Sequence, residues 1–196
     1  MKFKTFAIAV FFSFIPLSEV YGNNQVKTAN DYLDEAELVI KDEMNHPLYK
    51  NENGEREKFT NLVNQSLELE ETARAFLFLG FVRHMVFDPD SYKDSVHYYE
   101  KALELKPKYK RALIALSSSH RNGKNYQECM NSTDQVLTID PQNKIAKRLG
   151  EGCKSSLDKQ NLDECMKDYE VLWHREPKNK LVLEKVDTCM VKIRQK

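Results

Sequence analysis

The four cysteines are the residues whose spacing first suggests chemistry. The interval from Cys129 to Cys153 is identical to the interval from Cys165 to Cys189. A zinc site built from cysteine takes closely spaced ligand pairs such as C-x-x-C, and the sequence has none. Two states therefore remain open for these residues: oxidation to disulfides, or burial as small apolar thiols.

No group of side chains has the spacing of a catalytic site. The histidines are scattered along the chain, at His46, His84, His97, His120 and His174. No serine lies in a nucleophile elbow, and no glycine-rich loop could cradle a phosphate. Acid pairs such as Asp34-Glu35 fall on predicted helices, where they are typical of solvated faces. We therefore expect no enzymatic activity, no cofactor and no metal site.

The composition indicates a helical protein without a bulk charge that would attract nucleic acid. Thirty basic residues balance thirty acidic ones, and 31% of all residues are charged. Glycine and proline occur only six times each, and no alternating strand pattern of useful length is present. Nucleic-acid binding usually leaves a basic surplus, so we expect no nucleic-acid partner.

The N-terminal segment up to Gly22 is typical of a secretory signal peptide. Lys2 and Lys4 precede an apolar run over 5–17, and Val20 and Gly22 stand at the −3 and −1 positions of a cleavage site. An uncleaved anchor is the alternative, but the run contains a proline and is shorter than the roughly 20 residues that a membrane span requires. We therefore expect an exported protein, periplasmic or secreted, without stable membrane insertion after cleavage.

A helical pattern recurs along the second half of the chain. Within residues 91–107, apolar side chains fall on one face of a helix that ends at Pro107. The same offsets return before Pro141 and again before Pro177. The start of each helix is also repeated, as Tyr-Lys-Asp-Ser, Tyr-Gln-Glu-Cys and Leu-Asp-Glu-Cys. With Leu-Gly at 79–80 and 149–150, this pattern resembles the tetratricopeptide repeat, a helix pair that recurs with a period of about 34 residues.

The resemblance implies an all-α fold. We expect a right-handed α-solenoid of tetratricopeptide-like helix pairs, with an N-terminal helical extension and a C-terminal capping helix. The implied plan is a signal peptide at 1–22, an N-terminal helical pair at 23–70, three repeats at 71–177 and a capping helix at 178–196. The N-terminal pair is either a divergent repeat or a cap. The expected repeat helices are 73–87 with 92–106, 109–121 with 126–139, and 143–157 with 162–175.

The same resemblance implies which cysteines would meet. In this architecture Cys129 with Cys153, and Cys165 with Cys189, would each join the second helix of one repeat to the next helix of the array. Such helices pack as antiparallel neighbours. Export into an oxidising compartment favours disulfides over thiols. Each bridge would close a loop of about 25 residues and contribute on the order of 3 kcal/mol.

The resemblance also implies a binding surface, because such arrays bind partners in a groove lined by the first helix of each repeat. The groove positions are basic with an apolar end, and they map to Arg74, Leu77, Phe81, His84, Arg111, Ile114, Arg121, Lys144, Lys147 and Lys154. These residues predict a protein–protein interaction module or scaffold whose partner is an acidic protein or peptide segment. Some family members clamp the acidic tail of a chaperone, but Leu77 and Phe81 occupy the clamp positions here and argue against that function.

Two other interpretations of the same residues remain open. The lysines and arginines are also compatible with an ordinary solvated surface. The chain could instead be a structural subunit of an envelope or secretion assembly that acts through self-association.

Export is directly testable from the N-terminus of the mature protein. N-terminal sequencing of material recovered outside the cytoplasm should show a chain that begins near Asn23, because cleavage after Gly22 removes the apolar run. Recovery of intact Met1 in a membrane fraction would instead identify an uncleaved anchor.

Overall fold

The computed structural model describes residues 26–43, 54–84 and 91–195, so the predicted signal peptide and His46 lie outside the described residues. Within these ranges the chain is helical and has no strand. The helices pack in adjacent pairs, which confirms the predicted all-α repeat fold. They are α1 (Ala29–Glu43), α2 (Glu55–Leu69), α3 (Ala73–His84), α4 (Ser91–Leu105), α5 (Lys110–Asn122), α6 (Tyr126–Ile139), α7 (Lys144–Met166), α8 (Glu170–Arg175) and α9 (Lys180–Arg194).

A short 3-10 turn at Lys167–Tyr169 joins α7 to α8. Across the described ranges, no helix combines the length and the apolar character needed to cross a bilayer.

Polar side chains fix the starts of several helices. Before α1, Thr28 and Asp31 form a reciprocal capping box: the Thr28 backbone N–H donates to Asp31 Oδ2 at 2.7 Å, and the Asp31 N–H donates to Thr28 Oγ1 at 3.3 Å. Asn143 begins α7 by accepting a hydrogen bond from the Ala146 N–H at 3.0 Å. Asn179 caps α9 in the same way. Each cap satisfies a backbone donor that the helix itself leaves unpaired.

Helix α3 is buried on most of its circumference and forms the centre of the N-terminal core. Its buried residues are Ala75, Phe76, Leu77, Phe78, Gly80 and Val82. At Gly80 a Cβ atom would lie 2.5 Å from the ring of Tyr99, which is itself only 1% exposed. The helix pair α3–α4 therefore approaches to a distance that no residue larger than glycine allows at this position.

The third repeat differs from the prediction, because no turn interrupts residues 158–161. Instead α7 continues as one helix from Lys144 to Met166, and the expectation of separate helices at 143–157 and 162–175 was wrong. The turn between α5 and α6 contains Gly123 and Lys124, and Lys124 has a φ of 60°. Residues 158–161 are Asp-Lys-Gln-Asn and lack a glycine or proline. Lysine and glutamine favour the helix, so nothing local forces a break.

The apolar core becomes smaller towards the C-terminus, and both disulfides lie in that part of the chain. The main buried cluster extends from α1 to α5, whereas the cluster between α5, α6 and α7 holds only Leu113, Val136 and Ala146. A disulfide joins Cys129 on α6 to Cys153 on α7, and both residues are fully buried. The second joins Cys165 to Cys189 on α9. Since α7 is continuous, Cys153 and Cys165 lie on one helix, so this single helix is covalently tied to both of its neighbours.

The close approach of α3 and α4 predicts that alanine will have opposite effects on stability at two glycine positions. Gly80→Ala should lower the free energy of unfolding by about 1–3 kcal/mol, because the added methyl group would lie 2.5 Å from the Tyr99 ring and force the two helices apart or the ring aside. The matched control is Gly152→Ala on α7, where the nearest side-chain atom is 4.0 Å from the added Cβ. Alanine there should raise stability by up to about 1 kcal/mol through helix propensity. Urea unfolding measures both values, and equal effects at the two sites would contradict the packing explanation.

Candidate functional site

An apolar depression of about 430 Å³ lies between α3 and α5, and we call it the α3–α5 cleft. Most of its lining residues belong to α3 and α5, which are the first helices of two successive repeats. Tyr99 of α4 also lines it. The apolar lining residues are Leu77, Phe78, Phe81, Tyr99, Ile114, Ala115 and Ile145, and the polar ones are Glu37, His84, Arg111 and Ser118. A concave, mainly apolar cleft with a few polar groups is the usual form of a ligand-binding site.

Half of the predicted partner-binding residues meet in this cleft. Leu77, Phe81, His84, Arg111 and Ile114 all line it. Because α3 and α5 lie side by side, equivalent positions of two repeats come together.

Ile145 and Glu37 also line the cleft, although neither was predicted from the sequence. Ile145 lies one helical turn before the Leu-Gly pair of the third repeat, and its side chain is 54% exposed. An exposed apolar residue beside predicted groove lysines was the signal that could have identified it. Glu37 is far along the chain from every predicted groove residue, and no short-range pattern indicates it.

The α1 end of the cleft is electrically balanced. Arg74 donates to Asp34 Oδ1 at 2.6 Å and to Glu37 Oε2 at 2.5 Å, and its guanidinium lies 5.4 Å from the centre of the Phe78 ring. Arg111 lies 3.4 Å from Glu37 Oε1 and is more exposed than Arg74. Two arginines thus face two carboxylates, so Arg74 is engaged by its own chain rather than free for a partner.

A chain of hydrogen bonds runs through His84, which lines the opposite end of the cleft. Ser95 Oγ donates to the Tyr92 carbonyl at 2.8 Å and is 2.7 Å from Ser119 Oγ. Since a hydroxyl has one proton, Ser119 must donate to Ser95 and accept from His84 Nδ1, which is 2.8 Å away. His84 Nε2 is then the acceptor for the Asn122 amide at 3.3 Å. The network links α3, α4 and α5, and in this arrangement His84 is the neutral imidazole with its proton on Nδ1.

The electrostatics agree with this assignment of protons. Burial lowers the pKa of His84, because a charged imidazolium is poorly solvated in this position. Protonation would also place a proton on Nε2, opposite the donor group of Asn122.

The four remaining basic candidates do not line the cleft. Lys147 and Lys154 line a separate depression, the α6–α7 groove, which also holds Gly150, Glu151 and residues of α6. Lys144 is exposed and directly precedes Ile145. Arg121 extends from α5 towards α7, where its Nη1 atom would lie 4.0 Å from a Cβ on Gly152. Among the described residues, no carboxylate lies within ion-pair distance of any of the four.

Within the described ranges, no group of three or more histidine, cysteine, aspartate or glutamate side chains is arranged to hold a metal ion.

Comparison with known protein families agrees with the repeat architecture. A tetratricopeptide-repeat family model matches residues 90–109, which contain α4 and the turn before α5. No curated protein matches the chain significantly.

The His84 network predicts that stability falls in acid. The pKa of His84 is lower in the folded chain than its ordinary value of 6.5. The stability that depends on the neutral form of His84 is therefore fully present when the pH is above 6.5. Stability should then fall as the pH drops below it. Urea unfolding at about pH 7.5 and about pH 5 measures the difference. His84→Gln should reduce the difference relative to the unmodified chain, whereas His97→Gln, at an exposed position, should not. Equal pH dependence in both variants would contradict the network.

Proposed function

Because the chain is a tetratricopeptide-repeat protein, we propose that it is an exported interaction module that binds a segment of a partner protein in the α3–α5 cleft. The observation that supports this most strongly is the apolar cleft itself, which lies on the first helices of adjacent repeats. Helical arrays of this kind use that face for binding.

The cleft suits one bulky apolar side chain of the partner. Leu77 and Phe78 are buried and form a firm floor, while Phe81 and Ile114 are half-buried at the surface. An aromatic side chain that leaves water for such a site buries roughly 150–250 Å². Buried anchors of this kind dominate the energy of many interfaces. We therefore expect this contact to determine how slowly the partner dissociates.

The charges suggest how the rest of the segment is oriented. The α1 end of the cleft is balanced by its own ion pairs, whereas Arg121 and Lys144 lie towards α7 without acidic partners among the described residues. Acidic residues of the partner are therefore favoured on the α7 side of the anchor. Such exposed charges accelerate association more than they strengthen binding, and salt screens them.

Export agrees with the state of the cysteines. Each of the four cysteines takes part in a disulfide, and disulfides persist mainly in oxidising compartments. Together with the signal-peptide pattern that precedes Asn23, this supports a periplasmic or secreted location.

The proposal can be tested by selecting peptides from a random display library on the oxidised protein. Selected sequences should combine one aromatic or large aliphatic residue with acidic residues on one side of it. Phe81→Ala and Ile114→Ala should raise the dissociation constant of the best peptide by about tenfold or more, mainly through faster dissociation. Arg121→Glu should slow association, and added salt should reduce that effect.

A matched control separates the cleft from the general surface. Leu105→Ala removes an apolar side chain of comparable size on α4 that is 53% exposed and does not line the cleft, and it should leave binding unchanged. If Phe81→Ala and Ile114→Ala, folded by circular dichroism, bind the peptide like the unmodified protein, the cleft is not the binding site.

A further inference from the structure

One residue that lines the α3–α5 cleft belongs to the second helix of its repeat. Tyr99 lies on α4 and is only 1% exposed. A Cβ atom at Gly80 would lie 2.5 Å from Cε1 of the tyrosine ring and 3.0 Å from Cζ, the atom that bears the hydroxyl. Because α3 has no side chain at this position, the hydroxyl end of the ring can lie beside α3 and reach the cleft.

The hydroxyl of Tyr99 has no hydrogen-bond partner among the residues that the structure describes. It is also not fully enclosed. The described side-chain N and O atoms that lack both exposure and a partner are Ser66 Oγ and His120 Nδ1. The small exposed part of Tyr99 therefore includes its hydroxyl oxygen, and this oxygen is open to the cleft that the residue lines.

The other polar groups of the cleft either have partners or lie nearer to solvent. Glu37 pairs with Arg111 at 3.4 Å, and both ring nitrogens of His84 take part in the hydrogen-bond network described above. Ser118 is half-buried, so water can reach its hydroxyl. Tyr99 is therefore the polar residue of the lining whose hydrogen bonding depends most on what occupies the cleft.

A purely apolar anchor would leave this hydroxyl unpaired. In the free protein, water that enters the cleft can accept a hydrogen bond from the hydroxyl, and a bound side chain displaces that water. A hydroxyl that loses its partner on burial weakens binding. Burial also raises the pKa of Tyr99, so the hydroxyl keeps its proton and requires an acceptor from the bound segment.

Tyrosine is the natural side chain that best meets both requirements of the cleft. Its ring suits the apolar lining formed by Leu77, Phe78, Phe81 and Ile114, and its hydroxyl oxygen accepts hydrogen bonds. Phenylalanine and leucine have no acceptor, and the tryptophan N–H is only a donor. Asparagine and glutamine have an acceptor, but their amides would bring two further donors into an apolar site.

We propose that the anchor of the partner segment is a tyrosine, and that its hydroxyl accepts a hydrogen bond from Tyr99 in the α3–α5 cleft. This inference rests on the proposed function, because it specifies the side chain that the cleft binds. The acidic residues of the segment then lie on the side of Arg121 and Lys144, as proposed above. Gly80 contributes to recognition as well as to packing, because it lets the Tyr99 hydroxyl reach the cleft.

The test compares three forms of one peptide on the full, oxidised protein. The probe is the peptide selected by display, synthesised with tyrosine, phenylalanine or para-methylphenylalanine at its anchor position. Para-methylphenylalanine is close to tyrosine in size but has no hydrogen-bonding group. Isothermal titration calorimetry should show that the tyrosine form binds about fivefold more tightly than either of the other two, as one added hydrogen bond predicts.

Tyr99→Phe removes only the hydroxyl from the protein. In this variant the preference for the tyrosine form should disappear, and the free energy of unfolding should stay unchanged, because the hydroxyl has no partner within the described chain. The matched control is Tyr98→Phe on the same helix, which removes the same group from a residue that does not line the cleft. This control should keep the fivefold preference.

The outcomes separate this inference from the proposed function. If the tyrosine and phenylalanine forms bind the unmodified protein equally while Phe81→Ala weakens both, the cleft is the binding site and the tyrosine anchor is wrong. If the preference for tyrosine persists in Tyr99→Phe, another group recognises the anchor hydroxyl and the inference is also wrong. If Phe81→Ala weakens neither form, the proposed function fails and the inference fails with it.

Discussion

The burial of α3 is the constraint on which the rest of the structure depends. This helix packs against its neighbours on most sides, and Gly80 lets the Tyr99 ring lie closer than any side chain would allow. The remaining face of α3 carries Leu77, Phe81 and His84, and it forms one wall of the α3–α5 cleft. Because the helix is fixed by its core contacts, the cleft has a rigid floor. Preformed apolar sites of this kind lose little conformational entropy on binding.

Stability is distributed unevenly along the array. The N-terminal helices share one large apolar cluster, whereas the helices after α5 have small clusters and two disulfides. The disulfides hold α6, α7 and α9 together where apolar area is scarce, as in small domains that lack a sufficient core. This part of the array also exposes apolar residues such as Val171 and Leu181.

The sequence predicted the positions of individual helices better than it predicted ion pairs between residues that are far apart in the chain. Apolar spacing and terminal prolines predicted α4, α5 and α6 to within about one residue, since these signals act within one helix. The break expected at 158–161 was wrong because it came from aligning repeats, while the local residues favour a helix. Glu37 shows the other limit. Its ion pairs with Arg74 and Arg111 join α1 to α3 and α5, and a contact across that separation leaves no local pattern.

The central claim is that the α3–α5 cleft binds the partner, and isoleucine methyl groups report on it directly. In the protein labelled at isoleucine methyls, addition of the selected peptide should shift the NMR signals of Ile114 and Ile145, which line the cleft. Ile139 on α6 and Ile193 on α9 do not line it, and their signals should stay in place. Shifts at Ile139 or Ile193 with Ile114 and Ile145 unchanged would contradict the account, because they would place the partner on a different face of the array.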